Sequence, residues 1–179
     1  MSTTAEWLAK ILSSKEELHH WLKRQWIGEV TAHQRISNVA DKYHGRISAS
    51  TQQVLSNIAT QELNHSLWIR DLLANRNIEM PVGSLGEGEK RYWEPVLKYM
   101  ESFEEIAAAG HHAEAMRLVR IRALCECEEI DEDIRNVFKR ILPEEVFHEA
   151  AFKRLSSPEA LEKMSGKHQE GLRLLGLEI

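Results

Sequence analysis

Cysteine is nearly missing from this chain: Cys125 and Cys127 are the only two. Two apart on a helix, they point in different directions and do not readily pair. A reduced, cytosolic setting follows, with no thiolate set for a zinc-finger type site. Proline and glycine are also scarce, at four and nine in 179 residues, and β-branched runs are few. That favours a mostly helical chain. An excess of positive charge is lacking too. The net charge is −5, so there is no electrostatic case for nucleic acid. The local run Arg117, Arg120, Arg122 is offset by Glu126, Glu128 and Glu129, and reads as the solvated side of a helix. No apolar run approaches the roughly 18 residues of a membrane span. The opening residues, Met1 to Glu6, lack the basic and apolar regions of a signal peptide. A soluble, cytoplasmic protein is expected, with no membrane partner.

What is present is helical periodicity. A short helix is expected over 4–12, with Thr3 and Glu6 at capping-box spacing. Ser14 and Glu17 repeat the signature and open a long helix over 15–44. Its stripe is Leu18, Leu22, Trp26, Glu29, His33, Ile36 and Ala40, and Gly45 stops it. A second long helix over 49–75, capped by Ser48 or Ser50, carries Leu55, Ile58, Glu62, His65, Ile69 and Leu72 on one face. Asn77 to Glu89, with Pro81 and three glycines, has the composition of a loop. A helical piece over 94–108 follows, with Pro95 in its first turn and Gly110 interrupting or bending it. The next helix is read as 111–129, with the stripe Glu114, Leu118, Ile121 and Cys125. Asp131 can cap a helix over 132–156 with the stripe Phe138, Ile141, Glu145, His148, Phe152 and Leu155. Pro143 lies inside that span and predicts a kink or a break. Pro158 begins a final short helix reaching Leu174.

Two Glu-x-x-His pairs stand out, Glu62/His65 and Glu145/His148, each one helical turn apart on one face. Spacing alone is weak evidence: 24 Glu and 9 His give about 1.2 such pairs by chance. The chain has four, because Glu16/His19 and Glu17/His20 also qualify. Their helical neighbours include Ser13, Lys23 and Arg24, as on a solvated surface. The other two pairs interrupt apolar stripes, where a carboxylate is costly unless paired or bound to a cation.

Depth adds to this. From a turn near residue 45, Glu29 lies 16 residues before and Glu62 17 after. From a turn near 130, Glu114 lies 16 before and Glu145 15 after. At about 1.5 Å per residue, antiparallel helices bring each carboxylate pair to one level. Four carboxylates are balanced by two divalent cations, with neutral His65 and His148 completing the donor set. Carboxylate with imidazole suits iron or manganese. Glu29, Glu62, His65, Glu114, Glu145 and His148 are therefore the expected metal ligands. Glu126 competes with Glu114, but sits near the turn and in another helical phase. His33 is read as a core histidine that could alternatively support a ligand, and Trp26 as packing near the metals. His111 and His112 could approach the site from the start of the 111–129 helix, but they are read, like Glu144, as surface groups.

One Glu from each of two helices, plus Glu-x-x-His from each of two others, resembles the ligand set of the ferritin-like di-iron carboxylate superfamily. That superfamily includes ferritin and bacterioferritin, rubrerythrin, and di-iron oxygenase-like proteins. The resemblance covers residues 15–156 and extends to His148-Glu149, which is similar to rubrerythrin-like members. It implies an all-α, ferritin-like four-helix bundle of two antiparallel hairpins with a long crossover between them. The short terminal helices join it in a single domain, 1–179. It also implies two Fe ions, with Mn possible, Glu62 and Glu145 as bridging ligands, and Glu29 and Glu114 as terminal ones. The activity implied is an oxidoreductase reaction with O2 or peroxide and a small-molecule substrate, in a homodimer or larger homo-oligomer. The alternatives are ferroxidase or iron storage, rubrerythrin-like peroxide detoxification, and a metal-free helical interaction protein. The extra piece at 94–108 departs from the simple ferritin plan, and the four cysteines of a rubredoxin-type module are absent from this sequence. Arg117 stands where many rubrerythrins carry another Glu. Tyr43, Tyr92 and Tyr99 lie away from the ligand layer, which disfavours a tyrosyl-radical subunit.

Overall fold

A computed structural model describes residues 3–80, 96 and 100–175 of the chain. Among them there are six helices and no strand: α1 Thr4–Leu12, α2 Lys15–Lys42, α3 Ala49–Asn75, α4 Phe103–Glu126, α5 Glu132–Leu155 and α6 Pro158–Leu175. The all-α class is as expected and fits a ferritin-like helical bundle. No described helix is long and apolar enough to cross a membrane. The chain divides into two compact units, Ser14–Leu85 and Met1–Ser13 with Gly86–Ile179.

In the unit Ser14–Leu85, α2 packs against α3. Ser14 starts α2 by accepting the Glu17 amide, and Ser48, rather than Ser50, caps α3 by accepting the Thr51 amide. Between them Gly45 takes φ +72°, a left-handed turn that glycine adopts without steric cost. The helices run antiparallel. Gln52 Nε2 donates to the Ala40 carbonyl at 3.1 Å, and further from the turn His33 Nδ1 donates to the Ala59 carbonyl at 2.7 Å. The α3 stripe is buried throughout: Leu55, Ile58, Glu62, His65, Ile69 and Leu72.

In the other unit α4 packs against α5 and α6, and α1 against α4. The sequence-based bounds of α4 need correction. It starts at Phe103, not 111, and ends at Glu126, not 129. Met100 to Ser102 are not helical, so the expected piece over 94–108 does not exist as one helix. Its last residues are the first turns of α4, while Pro95 lies outside the described residues. The start is set by a full capping box between Ser102 and Glu105. Gly110 does not interrupt the helix. Instead it makes room: a Cβ there would lie 3.0–3.1 Å from ring carbons of Phe152 on α5. Glycine at this position lets the two helices approach.

Helix α5 also runs unbroken through Pro143, so two separate pieces are excluded. Pro143 is exposed, which leaves the carbonyl deprived of its amide partner on the wet side of the helix. The opposite face, Ile134, Phe138, Ile141, Glu145, His148 and Phe152, is buried and holds the helix in place. Asp131 occupies the N-cap position, but makes no side-chain capping hydrogen bond. A cluster of Val96, Ala108, Ala109, Ala160, Met164 and Leu172 secures α6 on the first turns of α4.

Candidate metal centre

Each unit buries one triad of two carboxylates and an imidazole. In the α2–α3 pair, Glu29, Glu62 and His65 are all fully buried. His65 Nδ1 lies 3.7 Å from Glu29 Oε2 and 3.8 Å from Glu62 Oε2. Each of the three offers a ligand atom within 4.8 Å of the others. Helical spacing puts Glu62 and His65 on one face, and the antiparallel pairing of α2 with α3 brings Glu29 to their level. The contacts are too long for hydrogen bonds and leave room between the donor atoms.

The α4–α5 pair repeats the design. Glu145 and His148 are fully buried and Glu114 is 8% exposed. His148 Nδ1 lies 3.5 Å from Glu145 Oε2, and all three residues again offer ligand atoms within 4.8 Å of one another. Glu126 is exposed, so burial selects Glu114 as the carboxylate of α4 that shares a site with Glu145. The donor chemistry of both triads suits a hard or borderline divalent cation. With a neutral imidazole, each triad carries two negative charges, which one such ion offsets. A buried charge of that size without a cation would be costly.

The decoy pairs separate by exposure. Glu16 and His20 are exposed, so neither Glu16/His19 nor Glu17/His20 forms a buried set. His33 is half-buried and uses its Nδ1 proton on the Ala59 carbonyl, as a core histidine does. Trp26 and Glu144 are half-buried. Of the tyrosines, Tyr43 ends α2, while Tyr92 and Tyr99 lie outside the described residues.

Two expectations fail here. Arg117 does not belong to a solvated helix side. Its side chain is 19% exposed and its Nη2 reaches Glu145 Oε1 at 3.2 Å. The available signal was its position three residues after Glu114, hence on the same face of α4. His111 and His112 are not surface groups either. His111 Nδ1 lies 3.0 Å from Glu149 Oε1, and His112 Nε2 donates to the Leu161 carbonyl at 2.9 Å. The His112 ring stacks on His168 with centroids 5.4 Å apart. Burial lowers the His112 pKa and, with the neighbouring imidazoles, takes that of His168 down to about 4.

In comparisons with known proteins, no curated protein and no solved structure gives a match. The rubrerythrin family model does match, over residues 20–156, a span that contains all six triad residues. That match covers most of the chain, and it agrees with two buried Glu/Glu/His triads carried on paired helices. The chain belongs to the rubrerythrin family, within the ferritin-like di-iron carboxylate superfamily.

Proposed function

We propose that the two triads, as parts of one functional domain, together hold a dinuclear non-haem iron centre. The protein would then act as an oxidoreductase on dioxygen or peroxide. The observation that carries this reading is the duplication: each helix pair buries two glutamates and one histidine whose ligand atoms lie within 4.8 Å of one another, in a chain of the rubrerythrin family. Four carboxylates with two neutral imidazoles are matched in charge by two divalent ions. Iron is the family's metal, and manganese fits the same donors. Redox-active ions bound there would supply the electron exchange needed for dioxygen or peroxide chemistry.

The chain's own residues set the conditions for that chemistry. Glu29, Glu62 and His65, and likewise Glu114, Glu145 and His148, project from helices rather than loops, so their donors are preorganised. Burial keeps the carboxylates dry and strengthens their pull on a cation. The one-turn spacing within each Glu-x-x-His pair presents both side chains to the same ion. Family membership favours peroxide reduction as the specific reaction over iron storage.

The test is metal stoichiometry followed by turnover. The purified chain, loaded with Fe(II) without air, should hold two irons per chain. Admitting O2 or adding peroxide should produce an Fe(III) absorption change, faster with the physiological oxidant. A metal content near zero, unchanged in Glu145→Ala, would overturn the reading in favour of a metal-free helical protein. Size exclusion adds a second check, since a cage-sized assembly would favour iron storage.

A further inference from the structure

We infer that His33 is a positioning residue for the metal centre: its cross-helix hydrogen bond holds α2 and α3 at the spacing that the Glu29, Glu62 and His65 donors need. This rests on the metal-binding reading above. The triad draws on two helices. One-turn spacing on α3 fixes Glu62 relative to His65, whereas Glu29 meets them only if α2 keeps its distance and register. His33 lies four residues after Glu29 and Ala59 three before Glu62, so both share the helix faces that carry the triad. There His33 Nδ1 donates to the Ala59 carbonyl at 2.7 Å, a short bond across the same gap, one turn from the donors. A helical carbonyl has a second lone pair for such a bond, beyond the one used in the helix ladder. Ala59 is buried and small, which lets the imidazole come that close.

Little slack is available. A first-row divalent ion such as zinc holds nitrogen and oxygen donors at about 2.1 Å, so two donors of one ion stand at most about 4.2 Å apart. His65 Nδ1 lies 3.7 Å from Glu29 Oε2 and 3.8 Å from Glu62 Oε2, inside that limit. The Glu29 spacing exceeds it once α2 retreats by about 0.5 Å, which is also the tolerance within which a preorganised site must be held. The other hairpin is braced in a comparable place: His111, three residues before Glu114, meets the carboxylate of Glu149, which follows His148, at 3.0 Å. A second bond between α2 and α3 serves as the comparison. Gln52 Nε2 donates to the Ala40 carbonyl at 3.1 Å. Ala40 lies 11 residues after Glu29 and Gln52 10 before Glu62, about 15 Å along the helices from the triad. Both bonds fasten the hairpin, but only that of His33 stands beside the donors.

The experiment is an anaerobic titration of the full chain with Co(II) as probe, read by calorimetry and by the visible absorption of the bound ion. His33→Ala should weaken Co(II) binding by about tenfold and change the bound ion's visible bands, because its donors are held less closely. His33→Asn should restore both, since its side-chain amide can donate from the place of Nδ1. Gln52→Ala removes a bond of the same kind far from the donors, and should leave affinity and bands as in the native chain. Circular dichroism checks that each variant keeps its helices. If His33→Ala does not, His33→Leu removes the donor while filling the space, and is judged by the same outcome. Native-like Co(II) binding by the variant lacking the donor, a loss no larger than that of Gln52→Ala, or a loss that His33→Asn does not restore would overturn the role of His33. Each leaves the dinuclear reading standing. No Co(II) bound by the native chain would overturn both.

Discussion

Replacing Gly110 by alanine tests the packing that brings α4 against α5. Glycine inside a helix is ordinarily a weakness, and alanine there gains about 1 kcal/mol. Gly166 in α6, within the same unit, has nothing within 4 Å of a Cβ built on it, so Gly166→Ala should show that gain. At Gly110 the added Cβ would lie 3.0 Å from Cγ and 3.1 Å from Cδ1 and Cδ2 of Phe152. Phe152 is itself buried at 6% exposure, so its ring has little room to retreat. Overpacking of this kind costs about 1–3 kcal/mol. Subtracting the helical gain leaves Gly110→Ala about 1 kcal/mol less stable than the native chain, and about 2 kcal/mol below Gly166→Ala. Urea denaturation of the metal-free protein measures both. In the double variant with Phe152→Leu, the cost of the added methyl should largely vanish, since the two residues are in contact. If Gly110→Ala is stabilised as much as Gly166→Ala, the close approach of the helices is wrong. The contact bears on function as well. Gly110 lies one turn before Glu114 and Phe152 one turn after His148, so a strained α4–α5 pair should also hold its metal less well.

Other outcomes follow from the same geometry. His148→Ala should lose at least one metal per chain while helical content by circular dichroism survives; unchanged metal content would mean that α5 carries no ligand at that position. Glu114→Ala should lower metal content and Glu126→Ala should not, because only the first is buried beside Glu145 and His148. His168 gives a pH dependence. Its pKa is about 4 in the folded chain against an ordinary 6.5, with burial the main cause. Below pH 6.5 the unfolded chain takes up a proton that the folded chain refuses until about pH 4, so stability falls as pH drops through that window. The loss is on the order of 2 kcal/mol. Denaturation midpoints measured between pH 7 and 4 should fall less steeply in His168→Gln.

Much of the site was legible because its residues break a pattern. Glu62/His65 and Glu145/His148 interrupt apolar stripes, and helical geometry alone puts each pair on one face. Exposure then parted them from the decoys on α2. Glu29 was legible through its distance from the turn, which antiparallel packing converts into depth. The choice between Glu114 and Glu126 was legible only in part: helical phase and distance from the turn favoured Glu114, and burial of Glu114 with exposure of Glu126 supports it. The start of α4 was misjudged although Ser102 and Glu105 carry a capping box. Gly110 weighs against a helix by propensity, and nothing local reveals the Phe152 ring that requires it.

Local chemistry, then, determined the helices, their caps and which acids face inward, because these depend on neighbours three and four residues away. Tertiary structure decided what those faces meet. Pro143 is tolerated because α5 buries its other side, so that the helix survives one lost hydrogen bond. Arg117 looked like solvated surface because a charged side chain on a helix is solvated by default. Its partner lies 28 residues on, upon a different helix, and only the packing of α4 against α5 brings the guanidinium to Glu145.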